Sequence, residues 1–180
     1  MAELVLVIAQ HHENVRWAEN LPSGWEPWVV TKDRDVPNEG REASSFLWAM
    51  RQLRGRTGTS AFVQGNPFHH EPDLLGKLRP SNRFRWLGHP HLSTADGGPH
   101  HVGLPVKARF EKWTGKPFPG EVWFAAGGQF ILPLAMLRNR PAVWYENLQA
   151  QACEDENPWV LERLWGLMLG GEAWNEAGNQ

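Results

Sequence analysis

Apolar residues recur along the chain at two different spacings, and the changes between them sketch a fold. Leu4 to Ile8 is a continuous β-branched run, which predicts a strand buried on both faces, as in a parallel sheet. Pro27-Trp28-Val29-Val30-Thr31 predicts a second strand. Between Pro37 and Arg54 the period lengthens. Ala43, Phe46, Leu47, Met50 and Leu53 recur at steps of three and four, predicting a helix with one buried face. It starts near Asn38-Glu39-Gly40 and ends near Gly55 and Gly58. Thr59 to Gln64 is a third strand, halted by the turn residues Gly65-Asn66-Pro67.

Glu71 to Leu78 predicts a short helix with Pro72 in its first turn. Residues 79–105, rich in Pro, Gly and His, predict a long loop, a feature that in compact domains usually serves function. Val106 to Trp113 follows as a short helix, and Glu121 to Ala125 as a strand leading into Gly127-Gly128. The last third reads as helical: Leu132 to Leu137, Pro141 to Gln151, and Trp159 to Leu169 before Gly170-Gly171. This order predicts a single α/β domain over residues 1–171, with a mostly parallel central sheet and flanking helices. Glu172 to Gln180 is a polar tail expected to fray.

Composition narrows the class. With 41% hydrophobic and 21% charged residues, the chain is too apolar to be disordered. Its 11 Trp are mostly expected in the core, Trp48, Trp144, Trp159 and Trp165 on helices and Trp25, Trp28 and Trp123 on the sheet. Only Trp86 and Trp113, flanking the long loop, suggest an aromatic platform for a sugar or base. A net charge of -2 supplies no global basic field and argues against indiscriminate nucleic-acid binding, leaving room only for a local basic patch. The lone Cys153 excludes an internal disulfide framework and an all-cysteine zinc site. Glu3 stands where a signal peptide carries positive charge, and no apolar run approaches the ~20 residues of a membrane span. The expectation is a soluble, cytoplasmic protein with no membrane partner.

In open α/β sheets ligands bind at the carboxyl ends of strands. Polar groups cluster there: His11-His12-Glu13 after the first strand, Lys32-Asp33 after the second, and Gln64-Gly65-Asn66 through His69-His70 after the third. Gly127-Gly128-Gln129 lies around the fourth. Arg41 and Glu42 open the amphipathic helix. They suit an anion or a hydroxyl-rich ligand, or form a capping pair without one. All eight His fall in four tight groups, His11/His12, His69/His70, His89/His91 and His100/His101. They read either as loop packing or as a metal site combining His12, His69 or His70 with Asp73 or Asp96, which would suit a metal-dependent hydrolase. A Gly-x-Ser-x-Gly elbow, a Walker A loop and a Gly-x-Gly-x-x-Gly turn are all missing, which lowers ATP-driven and nicotinamide chemistry.

Several segments together resemble a domain family of bacteria and fungi. Residues 7–17, with His11-His12-Glu13-Asn14-Val15-Arg16-Trp17, resemble a strand followed by Asn-Glu-x-x-x-Trp, with His12 in place of the family's Asn. Asn38-Glu39-Gly40-Arg41-Glu42-Ala43 resembles Asn-x-Gly-Arg-Glu-Ala, and Phe62 to His70 resembles Phe-Leu-Gln-Gly-x-Pro-Phe-Asp-His. Ala126 to Phe130, Arg140-Pro141 and Glu162 to Trp165 follow in order, so the likeness spans roughly residues 4–170. That family is in turn similar to small GT-A-type glycosyltransferases.

The resemblance implies a GT-A-like fold that transfers a sugar from a nucleotide-sugar donor, with Mn or Mg on the donor diphosphate. The donor contacts it implies are His12, Glu13, Lys32, Asn38, Gly40, Arg41, Glu42, Gln64, Gly65, Asn66 and Gln129. Gln64-Gly65-Asn66 stands where GT-A enzymes carry the metal-binding Asp-x-Asp, so either metal use is lost, or Asp96, His69 or His70 supplies a ligand instead, or the chain is not a transferase. Asp96 and Glu162 are the candidate bases, with an ion pair to Arg163 or Arg41 as the other reading of Glu162. Trp86, His100, His101 and Trp113 would face the acceptor, which is a small molecule, a glycan, a protein or a modified nucleic-acid base. The rival expectation is a non-catalytic domain that binds a nucleotide or sugar.

Overall fold

A computed structural model describes residues 3–170, and the predicted polar tail lies outside the described residues. Strand β1 (Glu3–Gln10) is flanked in parallel by β2 (Trp25–Thr31) and β3 (Gly58–Gln64). Its continuous apolar run has a simple cause. Val5, Val7 and Ala9 face one hydrophobic cluster and Leu6 and Ile8 the other, so both faces are covered.

Helix α1 (Arg41–Leu53) lies where its period predicted it, burying Ala43, Phe46, Leu47, Met50 and Leu53 on the first face. Helix α2 (Leu74–Lys77) is a single turn that caps the second face with Leu74. Residues 79–105 are not one loop. They contain β4 (Arg85–Trp86) and β5 (Pro90–Thr94), too short and too Pro- and His-rich to declare themselves. Helix α3 (Val106–Thr114) follows, then β6 (Glu121–Ala125).

The expected helix at 132–137 is mainly a strand and a tight turn. β7 (Phe130–Pro133) enters the central sheet, and a 3-10 helix, Leu134–Asn139, leaves it. Phe130, Ile131 and Leu132 are all buried, and an apolar run without alternation carries no period to separate strand from helix. Helices α4 (Ala142–Ala152) and α5 (Asn157–Trp165) complete the first layer.

The five-stranded order is β2-β1-β3-β7-β4. β7 pairs antiparallel with both β3 and β4, so the sheet is mixed: parallel on one side of β3 and antiparallel on the other. β6 does not join it but forms a separate ribbon with β5 that packs against α5. The register aligns Gln10 with Thr31 and Ala9 with Gln64, so the three parallel strands end together. No helix among the described residues is long and apolar enough to cross a membrane.

Candidate functional site

A cleft of about 470 Å³ opens where β1, β2 and β3 end and α1 begins. Of the expected donor contacts, Glu13, Lys32, Asn38, Gly40, Arg41, Glu42, Gln64 and Asn66 line it, together with Gln10 and His11. The strand ends are tied to each other: Thr31 Oγ1 donates to Gln10 Oε1 at 3.1 Å, and Gln10 Nε2 donates to the Glu13 carbonyl at 2.8 Å. His11 rather than His12 enters the wall, its Nε2 accepting from Asn38 Nδ2 at 2.8 Å. His12 stacks on the His11 ring at 3.6 Å and is exposed. A turn residue's side-chain direction has no periodic signal, so sequence could not choose between the two.

Gly65 supports rather than lines the cleft. A Cβ there would meet Glu13 Oε2 at 2.7 Å, and its carbonyl accepts from Trp17 Nε1 at 2.9 Å. The Glu13 carboxylate accepts from the His11 N–H at 2.7 Å, and its pKa is lowered although burial works against that. Gln129 is fully buried behind the cleft, donating to the Pro67 carbonyl at 3.2 Å, while its Oε1 has no partner among the described residues.

Beside the cleft a cation, Arg41, acts on two carboxylates, Glu42 and Glu162. Gly40 and Arg41 are consecutive left-handed residues, with φ of 66° and 49°. That conformation is costly for an arginine, and strain of this kind concentrates at functional sites. The bend sends the Arg41 side chain over the Trp159 ring at 5.1 Å, with its Nε 3.6 Å from Glu42 Oε2. Gly40 is needed for a second reason, since a Cβ would meet the Ala152 carbonyl oxygen at 2.9 Å.

Glu42 is 11% exposed and Glu162 15%. Burial pushes both carboxyl pKa values up, and for Glu162 the charge of Glu42 adds to the effect. Arg41, and Lys32 at Glu42, oppose the shift. Glu162 is further held by the Gly127 N–H at 2.6 Å and by Arg163 Nη1 at 3.3 Å, so the ion-pair reading of this residue is realised. His70 rests against Gly127, where a Cβ would meet its Cδ2 at 2.6 Å. Burial, then the charges of His69, Arg41 and His91, push its pKa down.

Lys32 is a buried post. Its Nζ donates to the Glu39 carbonyl at 2.6 Å, Ser44 Oγ at 2.7 Å and the Pro37 carbonyl at 3.4 Å. With three acceptors in place, it lends the cleft positive charge rather than a free hydrogen bond.

Other expectations are redistributed. Asp96 borders a separate depression with Lys107 and Glu111. Its Oδ1 closes a turn by accepting from Thr94 Oγ1 at 2.6 Å and the Gly98 N–H at 3.3 Å, which lowers its pKa. Trp86 is 1% exposed, packed edge-on to Phe84 and Phe130, and offers no platform. Trp113, at 7%, spends its Nε1 on Gln151 Oε1 at 3.0 Å. His101 meets Trp159 edge-on at 5.8 Å and so sits one ring from Arg41, whereas His100 packs on His91. His69 and His70 meet edge-on at 4.9 Å, and the described residues hold no group of three or more His, Cys, Asp or Glu placed to bind a metal ion.

Trp159, assigned to the core, is the ring beneath Arg41, and only the tertiary packing of α5 beside α1 brings the two together. No protein-family model matches this chain, and no curated protein matches it as a relative.

Proposed function

We propose that this chain is a GT-A-like glycosyltransferase that binds a nucleotide-sugar donor across the ends of β1, β2 and β3. One observation carries the reading: Arg41 and two part-buried carboxylates, Glu42 and Glu162, converge beside a polar cleft at the carboxyl ends of three parallel strands. The residues at Gln64-Gly65-Asn66 do not fit the divalent metal that such enzymes use on the diphosphate, because amides cannot neutralise it as paired carboxylates do. The donor charge therefore falls to Arg41, with the Lys32 ammonium behind it. Asn38, Gln64, Asn66 and His11 supply donors and acceptors for ribose and sugar hydroxyls.

In the transfer, an acceptor oxygen bonds to the anomeric carbon as the bond to the diphosphate breaks. The acceptor proton passes to a carboxylate, and Arg41 stabilises the charge on the departing diphosphate. Glu162 takes the base role, because the Gly127 N–H and Arg163 fix its orientation. The missing carboxylate pair at the end of β3 favours a second reading, a domain that binds the nucleotide sugar without turnover.

Calorimetric titration with UDP- and GDP-sugars, with and without Mn²⁺, tests both. Binding that Arg41→Ala abolishes, accompanied by release of nucleoside diphosphate, is the expected result. Binding without release selects the non-catalytic domain. No binding of any nucleotide sugar removes both readings.

A further inference from the structure

The opposite end of the sheet carries a second concentration of chemistry. Three segments meet where β3 begins. Residues 54–57 lead into it, and Ser81 docks on it, its N–H reaching Thr59 Oγ1 at 3.4 Å. Pro133, paired with Thr59, leads out through the 3-10 helix to Arg140. Each segment brings arginines.

Arg54 Nε donates to the Arg140 carbonyl at 2.9 Å, and Arg138 Nη2 to the Arg56 carbonyl at 3.2 Å. Arg85 Nη2 donates to the Lys77 carbonyl at 3.0 Å. A neutral carbonyl fixes a guanidinium in place and leaves its charge uncompensated. The ion-paired carboxylates of this region already have other cations: Glu3 holds Arg56, Glu71 holds Lys77 and Glu146 holds Arg51. Among the described residues, Arg54, Arg79, Arg83, Arg85, Arg138 and Arg140 have no carboxylate partner.

Arg83 and Arg85, with Ser81 and Asn82, line a recess of about 550 Å³. Burial, then Arg79 and Arg83, push the Arg85 pKa down, as like charges without a counter-ion do. In a chain of net charge -2, so many unmatched cations at one end is a local field opposite in sign to the whole.

We propose that this arginine-rich end binds the phosphodiester backbone of a single-stranded nucleic acid, with Arg79, Arg83 and Arg85 as the central phosphate contacts. Guanidinium forks match phosphate oxygens bidentately, and Ser81 and Asn82 add neutral hydrogen-bonding groups to the same recess. A flexible strand can follow a concave recess that a rigid duplex bridges. Among the described residues the face has no apolar wedge for a lipid surface: of the two large exposed apolar residues there, Val102 lies elsewhere and Val143 stands alone at the start of α4. The inference is independent of the nucleotide-sugar reading, since these residues and the cleft occupy opposite ends of β3.

Fluorescence anisotropy of a labelled RNA strand of about 20 nucleotides, over a salt series starting near ~50 mM, tests it. Affinity should fall linearly on a log–log plot with a slope of about -2 to -3, since each phosphate contact on a single strand contributes about -0.7. Arg79 and Arg83 are exposed, so Arg79→Ala/Arg83→Ala should melt like the wild type while losing about 1.4 of that slope and roughly tenfold in affinity. Arg41→Ala should bind the strand as the wild type does. Absence of binding at low salt overturns the proposal, as does binding unchanged by the double variant. Tighter capture by phosphatidylserine vesicles, or by a duplex of equal length, overturns it too.

Discussion

The Gly127 N–H holds Glu162 at 2.6 Å, while the same glycine leaves its Cβ position to the His70 ring. One residue therefore orients a carboxylate with its backbone and seats an imidazole with its missing side chain. Gly127 has φ of 81°, so Gly127→Ala adds left-handed strain of about 1–2 kcal/mol and forces His70 to move. The expected result is a melting temperature lower by roughly 5 °C, at ~2–4 °C per kcal/mol for a chain of this size. Unchanged melting would contradict both the left-handed strain and the His70 contact.

Arg41 invites a comparison between two replacements. Arg41→Ala keeps the φ of 49° that a Cβ resists, whereas Arg41→Gly relaxes it. Both remove the guanidinium from Glu42 and Trp159, and both should lose nucleotide-sugar affinity. The glycine variant should nonetheless be the more stable of the two by about 1 kcal/mol in urea denaturation. A glycine variant less stable than the alanine one would contradict strain at this position.

Protonation of the carboxylate pair gives a signed pH dependence. Burial raises Glu42 and Glu162 above the ordinary value of 4.5, so the folded state holds their protons longer than the unfolded state. Their contribution to stability is fully present below pH 4.5 and declines as pH rises through the folded values. Glu42→Gln should flatten that decline in a urea series across acid to neutral pH. It should also move the acidic limb of any transfer activity to lower pH, because it removes the like charge acting on Glu162. Parallel stability slopes for variant and wild type would refute the coupling.

Trp86 should behave as core. Truncation in Trp86→Ala should cost about 3–5 kcal/mol. Trp86→Phe should cost far less, because the indole Nε1 is buried without a partner among the described residues and its removal relieves an unsatisfied donor. Neither should alter nucleotide-sugar affinity in calorimetry. A selective loss of binding in the phenylalanine variant would return Trp86 to the ligand.

What could be read from the chain follows from which signals are local. β1, β3 and α1 were legible because Leu4–Ile8 and Thr59–Gln64 are uninterrupted runs and α1 keeps its period over three turns. β4 and β5 were not, since two and five residues set no period and Pro90 argues against a strand. Most of the cleft was also legible, because it gathers polar residues that directly follow strands. The Arg41–Trp159 contact and the pairing of Glu42 with Glu162 were not, because α1 and α5 are joined only by packing. The unmatched arginines were hidden for a related reason: they sit in three stretches that meet only once the sheet forms.

The Lys32 ammonium is one of several fasteners of the cleft, beside the Asn38–His11 hydrogen bond and the Ser44 hydroxyl on the Glu39 carbonyl. Pro37 to Gly40 form its outer rim, and the carbonyls of Pro37 and Glu39 are pinned to one Nζ. The rim is therefore held at a few side-chain points rather than zipped along a strand. Neutralising that nitrogen would loosen the carbonyls of Pro37 and Glu39 together, on either side of Asn38. The breadth of the ligand mouth is in this sense governed by a residue that never needs to touch the ligand.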